Sequence, residues 1–153
     1  MTTNALTRPR ITEELIINIL QADSYIMRQL DDASMVTEIA TCYLNDEPRD
    51  GYEFMKELEN RFLWDGDLTT AELLEEVIGR IEAGYQKHIQ DWVNINNIEP
   101  KFNPGDHVPN TDMVVLDIDK YRPFTYQIQF KNTMPKVGGR SYIKRWFDQV
   151  EEQ

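Results

Sequence analysis

The sequence is poor in the residues that carry chemistry. Cys42 is the only cysteine among 153 residues, so neither an internal disulfide nor a cysteine-based zinc site can form within the chain. His88 and His107 are the only histidines. No metal-binding histidine pair, glycine-rich phosphate loop or nucleophile elbow is present. No apolar run approaches the roughly 20 residues that span a bilayer, and the opening MTTNALTRPRITEEL lacks the apolar stretch of a secretory signal. These absences predict a cytoplasmic protein with no metal, no cofactor, no membrane association and no catalytic residue to nominate. There is also no internal repeat or low-complexity segment.

What is present is an ordinary globular composition with an uneven charge. Hydrophobic residues make up 41% and charged residues 28%, enough apolar surface for a packed core. The length suits one domain or two small ones. The net charge is −11. Residues 1–99 hold 8 Lys/Arg against 20 Asp/Glu, a net of −12, and residues 100–153 hold 8 against 7, a net of +1. Between Asp119 and Asp148 there is no acid at all, but there are Lys120, Arg122, Lys131, Lys136, Arg140, Lys144 and Arg145. An asymmetry of this kind speaks to partners rather than to fold.

The apolar spacing predicts about four helices in residues 1–99, after a loose arm over residues 1–10. Thr12 is a candidate N-cap, with Glu13 and Glu14 in the first turn, where carboxylates suit the helix dipole. Leu15, Ile16, Ile19, Leu20, Ile26, Met27 and Leu30 follow at helical spacing. Asp31 and Asp32 can cap a second helix through Val36, Ile39 and Tyr43. The run NDEPRDG is turn chemistry. A third helix carries Tyr52, Met55, Leu58 and Phe62, and Asp65-Gly66 ends it. Thr69 and Glu72 have capping-box spacing, opening a fourth helix through Val93.

After Pro100 the period falls from about 3.6 to 2. Val114, Leu116 and Ile118 alternate with Val115, Asp117 and Asp119. Phe124, Tyr126, Ile128 and Phe130 alternate with Thr125, Gln127 and Gln129. Both runs read as half-buried strands, joined by a turn over residues 119–123. Further turns are expected at residues 131–133 and 137–140. Ile143, Trp146, Phe147 and Val150 fit one helix face better than a strand. Helices followed by strands imply an α+β chain, with an acidic helical domain over 1–99 and a small β domain over 100–153.

The stretch FNPGDHV at that boundary has its own signature. Phe102, Gly105, Asp106 and Val108, followed by Val114, Val115, Tyr126, Ile128 and Phe130, resemble the opening of SH3-like small β-barrels, the group that includes KOW and Tudor-type modules. The resemblance covers about a third of the chain. Pro109 within the expected first strand and the absence of a clear late strand depart from the pattern. It implies an antiparallel barrel in which Gly105 takes a backbone angle closed to bulkier residues and Asp106 bonds nearby amides. It also allows nucleic-acid binding, which some of these barrels perform.

Two functional readings follow. In the first, the chain is a non-catalytic regulatory or adaptor protein that binds another protein. Its partner-binding residues are Trp64, Phe62, Asp65 and Asp67, because tryptophan is favoured at binding hot spots. Small acidic proteins of this style are encoded by phages and mobile elements to act on host machinery. In the second, the stretch 120–147 binds nucleic acid, with Lys120, Arg122, Lys131, Lys136, Arg140, Lys144 and Arg145 neutralising phosphates and the interleaved aromatics stacking bases. Each has a plainer counterpart: Trp64 fills the helical core, and the aromatics of 120–147 fill a barrel whose cations are its solvated face. The basic stretch could equally dock on acidic helices, in one chain or across a dimer; the sequence leaves the oligomeric state open. Asp117 and Asp119, at i and i+2 with Asp112 nearby, are the one carboxylate group that could hold a cation, and solvated surface acids are the simpler account. His88 near Asp91 reads as a surface histidine, His107 as a passenger of its turn, and Cys42 as a small core residue.

Overall fold

Thr12 opens the first helix, its Oγ accepting from the Leu15 amide at 3.1 Å and so satisfying one of the amides that a helix start leaves unpaired. The computed structural model describes residues 7–131 and 142–151. Along the chain these form α1 (Glu13–Gln21), α2 (Ser24–Gln29), α3 (Ser34–Asp46), α4 (Gly51–Phe62) and α5 (Leu68–Ile95). Then come β1 (Met113–Ile118), β2 (Thr125–Phe130), β3 (Ile143–Trp146) and α6 (Phe147–Glu151). The architecture is α+β, with helices in the N-terminal part and a small antiparallel sheet in the C-terminal part. The described residues divide into two compact units, one of residues 10–87 and one of residues 7–9 with residues 88 onward. The division falls inside α5, ahead of the compositional change at residue 100.

In the helical unit the first expected helix is two. Asp23 divides it: its carboxylate accepts from the Ile26 amide at 3.1 Å and from Arg80 at 2.7 Å, which restarts the helix at Ser24 as α2. Fully buried Ile16, Leu20, Ile26, Ile39, Phe54, Leu58, Leu74, Val77 and Ile81 form the core, recurring at the three- and four-residue steps that place side chains on one helix face. The start of α5 also differs from expectation. Its N-cap is Asp67, whose carboxylate accepts from the Thr70 amide at 3.0 Å. Thr70 Oγ in turn accepts from the Asp67 amide at 3.3 Å. The reciprocal pair is therefore Asp67/Thr70, because the helix begins at Leu68, upstream of the Thr69/Glu72 spacing.

In the second unit the strand order is β1-β2-β3, an open three-stranded sheet among the described residues. Met113 pairs with Phe130 and Val115 with Ile128, after which a bulge at Leu116 shifts the register so that Asp117 faces Gln127. The inward face of β1 is the opposite of the expected one: Met113 and Val115, both ahead of the bulge, are buried and Leu116 is exposed, because a period of two fixes the alternation but not which set faces the core. The FNPGDHV stretch folds back on β1. Gly105 sits at φ +94°, its amide donates to the Val115 carbonyl at 2.7 Å and the Val115 amide donates to Asp106 at 2.8 Å. The Asp106 carboxylate accepts from the Asn103 amide at 2.8 Å. Tyr126, fully buried, ties three segments together: its hydroxyl accepts from the Phe102 amide at 3.0 Å and donates to Glu151 of α6.

The tail is strand before helix. Residues 143–146, expected to be helical, pair with β2 from Ile128↔Ile143 to Thr125↔Trp146. Edge pairing to β2 satisfies a whole row of backbone groups, which outweighs the local helical spacing. The turn expected at 137–140, most of the one at 131–133, and the cations Lys136 and Arg140 lie outside the described residues.

Gly51 is the tightest point of the helical unit. A Cβ at this position would stand 2.0 Å from the Ala71 carbonyl oxygen, and its amide donates to the Glu75 carboxylate. Gly51→Ala is expected to force α4 from α5 and to destabilise the protein by about 1–3 kcal/mol, read as a lower urea midpoint. An unchanged midpoint would show that this approach is not tight.

Candidate functional site

Two surface regions carry the residues that the sequence singles out. The first lies in the helical unit where α4 gives way to α5. Leu63 ends α4 in the left-handed conformation, φ 61°, and is 87% exposed. Trp64 follows, half-buried against the helical core, its indole N–H donating to Glu38 at 2.7 Å. The other side of the ring lines a cleft of about 320 Å³ with Leu30, Met35 and Leu73 as apolar lining and Asp31 and Asp65 as acidic lining. A second hollow of about 200 Å³, lined by Tyr25, Glu72 and Glu76 among others, shares Gln29 and Leu73 with it. The two adjoin at those residues as one furrow, whose lining mixes apolar side chains with Asp31, Asp65, Glu72 and Glu76.

Of the four residues proposed from sequence to meet a partner, Trp64 and Asp65 line this furrow. Phe62 packs against the core, and Asp67 caps α5. Tyr25 and Leu30 come from α2 and its C-terminal cap, Met35 from α3 and Leu73 from α5, and no local pattern brings them together in the sequence.

The second region is the β1–β2 turn and the β3 edge. Asp119 closes it from below. Its side chain is fully buried, and Lys144 Nζ lies 2.9 Å from it. Gln127 donates to the same carboxylate at 3.1 Å, and the Tyr121 and Arg122 amides donate at 2.9 and 2.8 Å. Burial pushes this carboxyl's pKa up. The Lys144, Gln127 and amide hydrogen bonds outweigh that and hold it well below the usual carboxylate range. The turn therefore displays Lys120, Tyr121 and Arg122 outward, with Tyr121 88% exposed. Arg122, Arg145 and Trp146 line a cleft of about 80 Å³ beside them. Lys131 is exposed at the end of β2.

The aromatics of 120–147 divide between core and surface. Phe124, Tyr126 and Phe147 are buried and stack on one another at 4.3–4.8 Å, while the Trp92 ring meets Phe124 edge-on at 5.0 Å. Trp146 carries the Arg8 guanidinium 4.4 Å from its ring. Only Tyr121 among them stands nearly free in solvent.

The remaining candidates fall outside both regions. Asp117 is exposed and turns its carboxylate to the Ile118 amide at 2.8 Å, while Asp119, past the end of β1, is buried. Among the described residues no group of three or more His, Cys, Asp or Glu is gathered as a metal site would need. His88 and His107 are exposed. Cys42 is buried, and burial together with neighbouring Asp46 and Glu57 pushes its thiol up to about 12, which leaves it protonated and unreactive at neutral pH. Among the described residues no helix is long and apolar enough to cross a membrane. No protein-family model, curated protein or solved structure matches the chain.

The Asp119 cluster makes a testable statement about stability. Asp119→Ala leaves Lys144 without its partner and is expected to cost on the order of 3 kcal/mol at pH 7. Because folding lowers the Asp119 pKa, its contribution is fully present above the unfolded value of about 3.9 and is lost as pH falls through the folded value. The stability gap between wild type and Asp119→Ala should hold from pH 7 to about pH 4 and narrow below it. Urea unfolding at stepped pH measures that gap, and a gap that widens on acidification would contradict the cluster as described.

Proposed function

We propose that the protein is a non-catalytic regulator or adaptor, and that the Trp64 furrow takes a cationic segment of a partner protein with one bulky apolar side chain seated on Leu30, Met35 and Leu73. The observation that carries this reading is the furrow's lining, which sets Leu30, Met35, Trp64 and Leu73 beside Asp31, Asp65, Glu72 and Glu76. Charge supports the choice of occupant. Residues 10–87 hold 18 Asp/Glu against 7 Lys/Arg, so this unit carries a net −11, which speeds the approach of a cationic segment and disfavours an acidic one. Leu63, 87% exposed beside Trp64, is the left-handed cap of α4, its amide donating to Glu59 and the Trp64 amide to Leu58.

The wider reading belongs to the same proposal. A compact acidic protein of this kind suits a phage or mobile element that acts on host machinery in the cytoplasm. The C-terminal sheet is read as built on the SH3-like plan, which the positive φ of Gly105 and the pairing of residues 105–108 with β1 support.

The test uses a short synthetic peptide with one leucine or tryptophan between lysines and arginines, and a control with the basic residues replaced by glutamates. The basic peptide should bind with an affinity that falls with salt, and the control should not. Trp64→Ala should weaken binding about thirtyfold. Exchanging Asp65 and Glu72, both exposed, for lysine should weaken it about tenfold through slower association without unfolding the chain. Leu63→Gly should raise stability by about 1 kcal/mol while lowering affinity. Equal binding of both peptides, or indifference to the Asp65 and Glu72 exchange, would rule out the furrow as the site.

A further inference from the structure

We infer a second binding site in the C-terminal unit: the β1–β2 turn and β3 edge hold a stretch of single-stranded nucleic acid, with a phosphate between Arg122 and Arg145 and a base on the Tyr121 ring. This does not rest on the furrow. The reasoning starts from which charges are already neutralised. Lys144 is matched by Asp119 at 2.9 Å and Arg8 by Asp148 at 3.2 Å. No carboxylate is among the residues that line the 80 Å³ cleft. Arg122 and Arg145 both line it, and neither forms an ion pair with a carboxylate among the described residues. Two guanidiniums turned into one small hollow suit a tetrahedral oxyanion, which they can meet with paired N–H donors.

The aromatic partner is Tyr121. At 88% exposure it adds nothing to the core, yet its backbone is fixed. The Asp119 carboxylate accepts from both its amide and the Arg122 amide, so the backbone that carries ring and cation is already ordered before binding. Exposed Lys120 flanks it on the other side. Cations along a backbone track with an aromatic face for a base are the two components of sequence-tolerant single-strand binding. Duplex fits less well, since its bases are stacked away from the ring. The whole-chain charge does not oppose this. Residues 1–9 and 88–153 together hold nine acids and nine bases, and fields beyond roughly 8 Å are screened in physiological salt.

The experiment titrates the full chain into a labelled oligouridylate of about 15 nucleotides at salt near 50 mM and upward, following anisotropy. Binding should weaken with a log–log salt slope near −2, for three phosphates neutralised. Tyr121→Ala should weaken it about tenfold and leave the slope alone. Arg122→Glu and Arg145→Glu should each flatten the slope by about 0.7. All three side chains are exposed, so the variants should fold, and matching urea midpoints would verify it. A duplex and inorganic polyphosphate complete the set, and both should bind more weakly than the single strand. Absence of salt-dependent binding, a silent Tyr121→Ala, or polyphosphate binding as tightly as the oligonucleotide would each overturn the site.

Discussion

One buried carboxylate organises the C-terminal unit. Asp119 sits where β1 ends, the turn begins, and β2 and β3 pass on one side. In that position an isolated charge would be expensive to hold. Four donors surround it instead, from Lys144, Gln127 and the amides of Tyr121 and Arg122. The arrangement links an element of each kind: a strand end, a tight turn, a central strand and an edge strand. It matters most for β3, which pairs with β2 through only four residue pairs. A short edge strand of this kind needs a side-chain tether, and the Lys144–Asp119 contact supplies one across the sheet. It also fixes which way the turn residues face, so the outward display of Tyr121 and Arg122 follows from an interaction made beneath them.

What could be read from the sequence, and what could not, divides by range. Local signals were sound. Thr12 does cap α1, Gly105 does take a positive φ, Asp106 does bond a neighbouring amide, and the change of period at Pro100 does separate helices from strands. Apart from the capping pair of α5, which is Asp67/Thr70 and not Thr69/Glu72, the misreadings concern contacts with distant partners. Asp23 divides a predicted helix with help from Arg80, far along the chain. The strand β1 ends at Ile118, so Asp119 turns inward to Lys144 and Gln127 while Asp117 stays exposed, although the i, i+2 spacing placed them on one face. Ile143–Trp146 carries a helical pattern and becomes a strand because β2 offers it a ladder. The furrow shows the same division. Trp64 and Asp65 announced themselves as an unusual loop, but its floor comes from side chains on several helices, whose facing only packing decides.

Two residues in the left-handed region show how strain is handled on the two units. Phe124, at φ 59°, is buried among Trp92 and Phe147. Its amide neighbourhood is also secured, since its carbonyl accepts from the Phe147 amide at 2.8 Å. Aromatic pairs contribute about 0.5–1.5 kcal/mol each beyond the area they bury, enough to offset the conformational cost. Leu63, at φ 61° and 87% exposed, is held through the backbone instead: as the cap of α4 its amide donates to Glu59 and the Trp64 amide to Leu58. The same backbone conformation is therefore secured by aromatic packing in one unit and by helix capping in the other.

Charge then separates the two surfaces by the ligands they can accept. All of the net −11 resides in residues 10–87, and the rest of the chain is balanced. A furrow set in that negative unit discriminates against polyanions before any contact is made. At the β1–β2 turn the local balance is reversed, since Asp119 is matched by Lys144 while Arg122 and Arg145 have no carboxylate partner among the described residues. Ligands of opposite sign thus have no common site to compete for. That separation requires Asp119 to be ionised: a protonated Asp119 would leave Lys144 free as a third cation in the cleft and loosen the turn that presents the ring. The hydrogen bonds that hold its pKa low keep it charged across the whole neutral range, so the display of the turn is a constant of the fold and not a response to pH.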